Sequence, residues 1–425
     1  MAIHEDVLVI GGGIAGTTAA LAAAETGAQV RLVTHKKSTL RQASGLIDVL
    51  GYAPDVDGPV SDPFAAIESL PEGHPYQLLG ETAIRGGLTV FDEAVGEAYE
   101  GSHTDTNALL TTSGGAIKPT SRYPTSTAAG LVSDDRAMLI VGFRSLTDFD
   151  GELVADHLAA AGVPFSVDGV EIEVPGSYRA DSRVTRIANA LDLNKDLDYE
   201  GRALPAREAF AEVIKPHLGD ADRVGLPAVL GDDHADEVRA DLERHLGAAV
   251  FELPMGPPSY PGLRLEDILF DALDEAGVRL SDGNPAVGYE ADGDAIDAII
   301  VDQMNKEVPY SAEQVVLATG GLVGKGIDSD REGVREPVFD CHVPHPDDRY
   351  DWFVDDAFGE HPFAKFGVQI DEACKPLDGD GVPEFSNLRA AGGVVGGVDR
   401  TAEKSKSGVS LATGYVAGTA AGEAI

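Results

Sequence analysis

Three glycines mark the place where this chain could do chemistry. The apolar run Val7-Leu8-Val9-Ile10 ends in Gly11-Gly12-Gly13-Ile14-Ala15-Gly16, a G-x-G-x-x-G spacing. Gly11 permits a tight turn, Gly13 lets the main chain approach a pyrophosphate, and Gly16 lets a helix pack closely on the preceding strand. The ligand such a turn favours is an anion, because the first N–H groups of a helix lack intrahelical partners and carry partial positive charge. The usual companion is an Asp or Glu about 20 residues on, which binds a ribose hydroxyl. Here that region reads Thr34-His35-Lys36-Lys37, with no acid. The adenosine end of an ordinary FAD or NAD site thus lacks its customary anchor, while Lys36 and Lys37 would suit the 2′-phosphate of NADP. Cys341 and Cys374 stand 33 residues apart without a CxxC. That spacing excludes a self-contained Cys₄ iron–sulfur cluster and a disulfide framework. Cys341-His342-x-x-His345 supplies too few ligands for a zinc centre, so no metal site is expected.

The elements that must position the glycines can be read from hydrophobic pattern. Residues 14–25 read as an Ala-rich helix with Gly27 at its cap, and 29–33 as a second buried strand. This is a βαβ nucleotide-binding opening. The nearly uncharged run 7–24 resembles a signal or membrane segment only superficially, since its flank (Glu5, Asp6) is acidic and it holds three consecutive glycines. No other stretch reaches the roughly 18 apolar residues of a spanning helix. The small, polar loop 38–45, with Ser44 and Gly45, follows the second strand and can fold back over whatever the glycine turn binds. Residues 51–255 read as an inserted α/β domain: a linker, a helix near 81–99, strands at 137–142, 224–229 and 250–253, and helices at 150–161, 186–191, 206–215 and 234–246.

The opening domain then resumes over 256–425. A helix near 263–276 precedes alternating segments at 286–290, 295–301 and 307–310, joined by Asp/Gly turns. A further strand, Val315-Val316-Leu317, ends in Ala318-Thr319-Gly320-Gly321. Small residues there let the chain pass beneath a flavin ring without collision. A strand entering Gly392-Gly393 follows, and Ser407-Gly408-Val409-Ser410 opens a terminal small-residue helix. In disulfide-reductase-like flavoproteins such a helix aims its N-terminus at the flavin pyrimidine, favouring negative charge on the reduced form. The expected fold is α/β: a Rossmann-like flavin domain of the disulfide-reductase and fumarate-reductase kind, split into 1–50 and 256–425 around the insert. Its expected flavin contacts are Gly11, Gly13, Gly16, Ser44, Gly45, Thr319, Gly320, Gly392 and Gly408.

Charge sets this chain apart. Its 425 residues carry 72 acidic and 32 basic side chains, a net of −40, and the acids are spread along the sequence rather than gathered in a tail. Self-repulsion of that size destabilises a compact fold at ordinary ionic strength. At 1 M salt the Debye length falls to about 3 Å and the penalty is largely screened. A salt-loving source follows as an expectation. Nucleic acid is not expected as a partner, since no basic stripe exists, and the cysteine usage fits an intracellular, cytoplasmic protein.

Beyond these signals, the chain resembles the B subunit of anaerobic glycerol-3-phosphate dehydrogenase, a quinone-linked enzyme of three subunits. The likeness runs nearly its whole length: Ser44-Gly45-Leu46-Ile47-Asp48, His74-Pro75-Tyr76 with Leu78-Leu79, and Val141-Gly142 with Asp148-Phe149. It continues through Pro257-Pro258-Ser259 and Gly262-Leu263-Arg264-Leu265, Gly320-Gly321-Leu322-Val323, Gly333-Val334-Arg335-Glu336-Pro337, Phe366-Gly367-Val368 and the run from Gly392 to Asp399. The chain departs in its acidity and in Lys404-Ser405-Lys406-Ser407, where relatives are richer in glycine. The resemblance implies oxidation of sn-glycerol 3-phosphate to dihydroxyacetone phosphate. The partners it implies are an FAD-bearing A subunit, which holds the substrate chemistry, and an iron–sulfur C subunit, which anchors the complex at the inner face of the cell membrane. It also implies FMN here, with FAD the alternative; FMN has no adenosine and needs no ribose acid.

Flavin oxidation of an alcohol further requires a base beside the hydroxyl and a cation for the phosphate, preferably the forked guanidinium of Arg. Arg264 and Arg335 lie in the most family-like loops and are the candidates for the phosphate. His74 is the candidate base, with His342, His345 and His361 behind it. Each has a structural alternative: an ion pair for the arginines, a cap or surface position for the histidines.

Overall fold

The computed structural model describes residues 3–35, 38–54, 56–176, 183–357 and 359–425. Lys36 and Lys37 lie outside the described residues. The chain forms two compact units, one of residues 1–39, 48–96 and 267–425, the other of 40–47 and 97–266. These borders differ from a single insertion at 51–255. Residues 48–96 join the first unit because their helix packs on that unit's helices, and 40–47 join the second through the pairing of Ile47 with Arg122.

Strand β1 (Ile3–Ile10), helix α1 (Ile14–Glu25) and strand β2 (Val30–Thr34) form the expected opening, with β2 parallel to β1. Helix α1 is buried from Ala15 through Ala23, as a helix apolar on every side must be. Its C-cap is Thr26, and Gly27 takes the positive φ one residue later. The span α2 (Pro75–Val95) is two helical pieces joined across a kink at Gly80, whose φ of 76° and ψ of 172° are not helical. His74 caps the short first piece with Pro75 at its first position, and the longer piece begins after Gly80, where the sequence places a helix.

The second unit holds a four-stranded parallel sheet. Strand β3 (Met138–Phe143) leads through α3 (Gly151–Ala161) to β4 (Val167–Ile172). Helices α4 (Val184–Asp192) and α5 (Ala206–Ile214) precede β5 (Arg223–Pro227), and α6 (Ala235–Leu246) leads to β6 (Ala249–Leu253). The order is β6-β5-β3-β4. From the central pair the chain steps outward in opposite directions, so right-handed crossovers place α3 and α6 on opposite faces. Arg223 is wholly buried at the start of β5, where it donates to the carbonyls of Arg136, Ala129 and Leu131 and lies over the Phe165 ring.

Helix α7 (Tyr260–Glu275) carries the chain back to the first unit. There β7 (Arg279–Asp282) pairs with β2, and a meander of β8 (Ala286–Asp292) and β9 (Ala295–Asp302) runs into β10 (Glu307–Leu317). The segments expected separately at 307–310 and 315–317 are one strand. The first half of β10 pairs antiparallel with β9, and along its length it lies parallel to β1, from Tyr310 opposite Ile3 to Leu317 opposite Ile10. Strand β11 (Leu388–Ala390) pairs parallel with the end of β10. The sheet order is β7-β2-β1-β10-β9-β8, with β11 beside β10.

Helix α8 (Lys406–Gly422) packs along α1. Small residues decide this contact. A Cβ on Gly414 would stand 2.6 Å from the Ala15 carbonyl oxygen, and one on Gly418 would stand 2.2 Å from that of Ala19.

Candidate functional site

Strands β1, β10 and β11 are parallel neighbours, so their carboxyl ends open on the same edge of the first unit. Each runs out into glycine, and the three turns touch through backbone. A Cβ on Gly11 would lie 2.1 Å from the Ala318 carbonyl oxygen, on a residue whose φ is already +121°. One on Gly16 would lie 1.8 Å from the Gly11 oxygen, so only glycine lets α1 start this close to β1. Between β10 and β11, a Cβ on Gly393 would stand 2.7 Å from the Gly321 nitrogen, and one on Gly392 would stand 2.5 Å from the Ala15 Cβ. Gly13 differs from all of these: nothing lies within 4 Å of the place where its side chain would be. It faces open space at the N-terminus of α1, which no side chain caps.

At the start of α1 the donors are backbone N–H groups with no side-chain cap and a helix end behind them, an arrangement that suits a phosphate. A second observation agrees. The Thr319 hydroxyl is buried and has no hydrogen-bond partner, the state expected of a donor that meets its acceptor on a bound group. Gly11, Gly13, Gly16, Thr319, Gly320 and Gly392 are thus brought together, and the residues present fit a flavin phosphate and ring edge. Where an adenosine-binding acid would stand at the end of β2, the chain has Thr34. A Cβ on Gly12 would lie 3.1 Å from the Thr34 side chain.

The remaining expected contacts are Ser44, Gly45 and Gly408. Ser44 and Gly45 belong to the second unit. Gly45 has a φ of +77°, a Cβ there would stand 2.8 Å from Pro261, and its carbonyl accepts from the Tyr99 hydroxyl at 2.8 Å. Gly408 packs rather than cradles: a Cβ would strike the Tyr76 hydroxyl at 2.2 Å and the Asp48 oxygen at 2.9 Å. The first turn of α8 is also not bare. Ser407 N–H donates to the Asp48 carboxylate at 2.9 Å and Gly408 N–H to the Asp48 carbonyl at 2.7 Å. Those donors of α8 are met by the chain itself, and the flavin-facing role expected of Gly408 is replaced by this seam.

The candidate catalytic residues are likewise reassigned by their contacts. His74 is buried, its Nδ1 accepts from the Tyr76 N–H at 3.0 Å, and its Nε2–H donates to Glu403 at 3.1 Å. With both ring nitrogens engaged it caps α2 and ties it to the segment before α8. Arg264, in the second unit, binds the buried Glu252 carboxylate, the Gly231 carbonyl at 2.7 Å and Ser126. Its fork is filled by protein. Arg335 is largely exposed and stands 3.6 Å from Asp328 across a two-stranded ribbon. Of the other histidines, His345 uses both ring nitrogens on Val343 and Val334, and His342 is exposed. Cys341 and Cys374 are buried free thiols whose pKa burial raises strongly.

Two residues that pattern reading passes over matter here. Arg400 donates to the Gly392 carbonyl at 3.1 Å and to the Val395 carbonyl, bracing the β11 turn from behind. Burial pushes its guanidinium down to about 10, against the pull of Glu403, Tyr76 and Asp399. Thr413 accepts from the Gly392 N–H at 2.8 Å and fixes the same turn to α8. The one sequence signal for Arg400 is a lone cation following the glycine-rich run 392–397.

Comparison with known proteins turns this geometry into a family. The profile of the FAD binding domain family matches residues 6–409. The chain is 57% identical over 425 residues to the probable B subunit of anaerobic glycerol-3-phosphate dehydrogenase from Halobacterium salinarum, and the match spans 100% of this chain and 99% of that protein. The chain belongs to the B-subunit family of anaerobic glycerol-3-phosphate dehydrogenase. A more distant member, from Vibrio cholerae, is 30% identical over 433 residues, a match that spans 97% of this chain and 95% of that one. Family membership makes this chain a flavoprotein-type oxidoreductase subunit. The acidity fits the Halobacterium relative, which shares the full length. No helix among the described residues is long and apolar enough to cross a membrane.

The second unit of this dehydrogenase-family chain carries the one group of possible metal ligands found among the described residues, Asp192, Asp233 and His234. Asp192 accepts there from the N–H groups of Asp233 and His234, at 3.4 and 2.8 Å. Its carboxylate serves the start of α6.

Proposed function

We propose that this chain is the flavin-bearing B subunit of a quinone-linked glycerol-3-phosphate dehydrogenase complex. The complex oxidises sn-glycerol 3-phosphate to dihydroxyacetone phosphate and passes electrons to an iron–sulfur subunit, then to quinone. The observation that carries this is the meeting of three glycine turns, with an unpartnered Thr319 hydroxyl, in a chain 57% identical over its length to a B subunit of that enzyme. A bound flavin supplies the hydride-accepting centre. The chain's own part is to present backbone N–H groups of the turn after Gly11, at the start of α1, to the phosphate and to keep side chains off the ring edge at Thr319–Gly320 and Gly392–Gly393. Arg400 holds the last turn in place. The partners are an FAD-bearing A subunit, which takes the substrate, and an iron–sulfur C subunit, which holds the complex at the inner face of the cell membrane.

The form of the flavin we take as FMN, because Thr34 stands where a ribose-binding carboxylate would be. FAD is the second reading, favoured by the family whose profile matches. Purification of the native complex in high salt tests both levels. The expected complex is yellow, reduces a quinone analogue on adding glycerol 3-phosphate, and releases FMN from this chain. A colourless chain in an active complex would leave it a docking subunit, and released FAD would decide the cofactor the other way.

A further inference from the structure

Two electrons and one proton added to a flavin leave one negative charge for the site to balance, and a helix N-terminus is one source of positive charge for it. In this chain the start of α8 does not serve that end. Its Ser407 and Gly408 N–H groups are taken by Asp48, whose carboxylate sets a full negative charge against the helix terminus. On this side of the edge the positive charge has to come from another element.

Arg400 stands behind the β11 turn. Its guanidinium donates to the Gly392 carbonyl at 3.1 Å and to the Val395 carbonyl, and its Nε is buried without a partner. Both acceptors are neutral. Among the described residues no carboxylate forms an ion pair with it, in a chain that carries 72 acidic side chains. The carboxylates that act on it at longer range are turned to other partners. Asp399 accepts from the N–H groups of Thr401 and Ala402 at 3.2 and 3.0 Å. Glu403 accepts from His74 Nε2–H at 3.1 Å and from the Ser405 hydroxyl at 2.8 Å. Tyr76 is kept neutral by burial and donates to the Val49 carbonyl at 2.8 Å. A desolvated cation without a counterion is costly, and a neutral amide could donate to the same two carbonyls. What the guanidinium adds is charge, held at any pH the fold meets.

We propose that Arg400 is the counter-charge of the cofactor site: through the Gly392 turn it favours the reduced flavin and sets the site's reduction potential. The inference rests on the proposed flavin function. The turn that Arg400 holds is one of the three that meet at the edge, packed on Ala15 at Gly392 and on Gly321 at Gly393. Salt does not remove the effect, because a charge within the fold is screened far less than one on the surface.

The test uses the full-length chain, loaded with flavin in high salt, so that no other redox centre contributes. The midpoint potential is measured beside flavin content and thermal midpoint. Arg400→Met is expected to lower the reduction equilibrium constant by about tenfold, about 30 mV for a two-electron couple. Arg400→Lys keeps the charge and loses the fork, and is expected to retain most of the wild-type potential. Glu403→Gln keeps an acceptor for His74, removes an opposing charge, and is expected to shift the potential upward. A flavin-loaded Arg400→Met chain with the wild-type potential overturns the inference, as does an equal fall in Arg400→Lys, which would make Arg400 a brace alone. Should Arg400→Met hold no flavin, Glu403→Gln decides, and no upward shift there overturns the inference. A wild-type chain that takes up no flavin overturns the proposed function, and this inference with it.

Discussion

The two units solve the same geometric problem in opposite ways. Both end parallel strands on an edge where helices begin, the place where ligands bind in open α/β sheets. In the first unit that edge is left to bare backbone: the N-terminus of α1 has no side-chain cap, and Gly13 faces open space. In the second unit the same positions are filled with carboxylates. Glu171 accepts from Gly151 at the start of α3 at 2.7 Å, Asp192 accepts from His234 at the start of α6 at 2.8 Å, and Glu252 accepts from Leu230 at 3.0 Å while holding Arg264. An anion that would be welcome at α1 meets negative charge at α3 and α6. Helix direction and strand order alone therefore do not make a phosphate site. The two edges differ in whether an internal carboxylate meets the helix starts.

This contrast can be broken at four points, from the largest effect to the smallest. Gly16→Val places a side chain 1.8 Å from the Gly11 backbone oxygen, a clash beyond ordinary overpacking, which already costs about 1–3 kcal/mol, so its effect is expected to be the largest of the four. The expected result is a chain that purifies without flavin and melts early, measured by absorbance and thermal unfolding. Arg223→Met removes four hydrogen bonds to three main-chain carbonyls. At about 1 kcal/mol net for each bond, the second unit should lose about 4 kcal/mol in denaturant unfolding. A loss below about 1 kcal/mol would show that water replaces the guanidinium there.

Gly13→Ala separates binding from folding. Its methyl group meets no protein atom, so thermal stability of the flavin-free chain should hold, while flavin affinity falls by about tenfold because backbone approach is what the motif supplies. Equal affinity would mean that the phosphate lies elsewhere. The smallest effect concerns Glu171, whose pKa burial raises, joined by Asp150 and Glu152 and opposed by the Gly151 hydrogen bond. The folded state holds that proton more tightly than the unfolded one. The stability this contributes is present below the ordinary glutamate range near pH 4 and is lost as pH rises through the elevated value. Glu171→Gln keeps the acceptor for Gly151 and should flatten the fall of the thermal midpoint over that window. An unchanged slope would show that Glu171 does not titrate abnormally.

Much of the fold was legible in pattern. Helix α1 falls on 14–25 as read, β3 and α3 lie within a residue of the expected spans, and the meander is where the Asp/Gly turns put it. Local signals decide such elements, since apolar period and turn residues act within a dozen positions. The unit borders were less legible. Whether 48–96 belongs to one unit or the other depends on which helices α2 packs against, a contact made with residues more than 300 positions away in α8.

The site divided along the same line. Sequence alone determined the glycine turns and the missing acid at Thr34, because a tight turn and a close backbone approach demand glycine whatever surrounds them. It could not determine the fate of His74, Arg264, Arg335 or Gly408. A histidine becomes a base or a cap, and an arginine a phosphate ligand or an ion pair, according to the partner that reaches it first. Only the tertiary structure brought Glu403 to His74, Glu252 to Arg264 and Asp48 to the start of α8. It left Gly13 and the Thr319 hydroxyl without a partner. A side chain's chemistry is written in its type, but its availability is set by neighbours that folding brings from elsewhere in the chain.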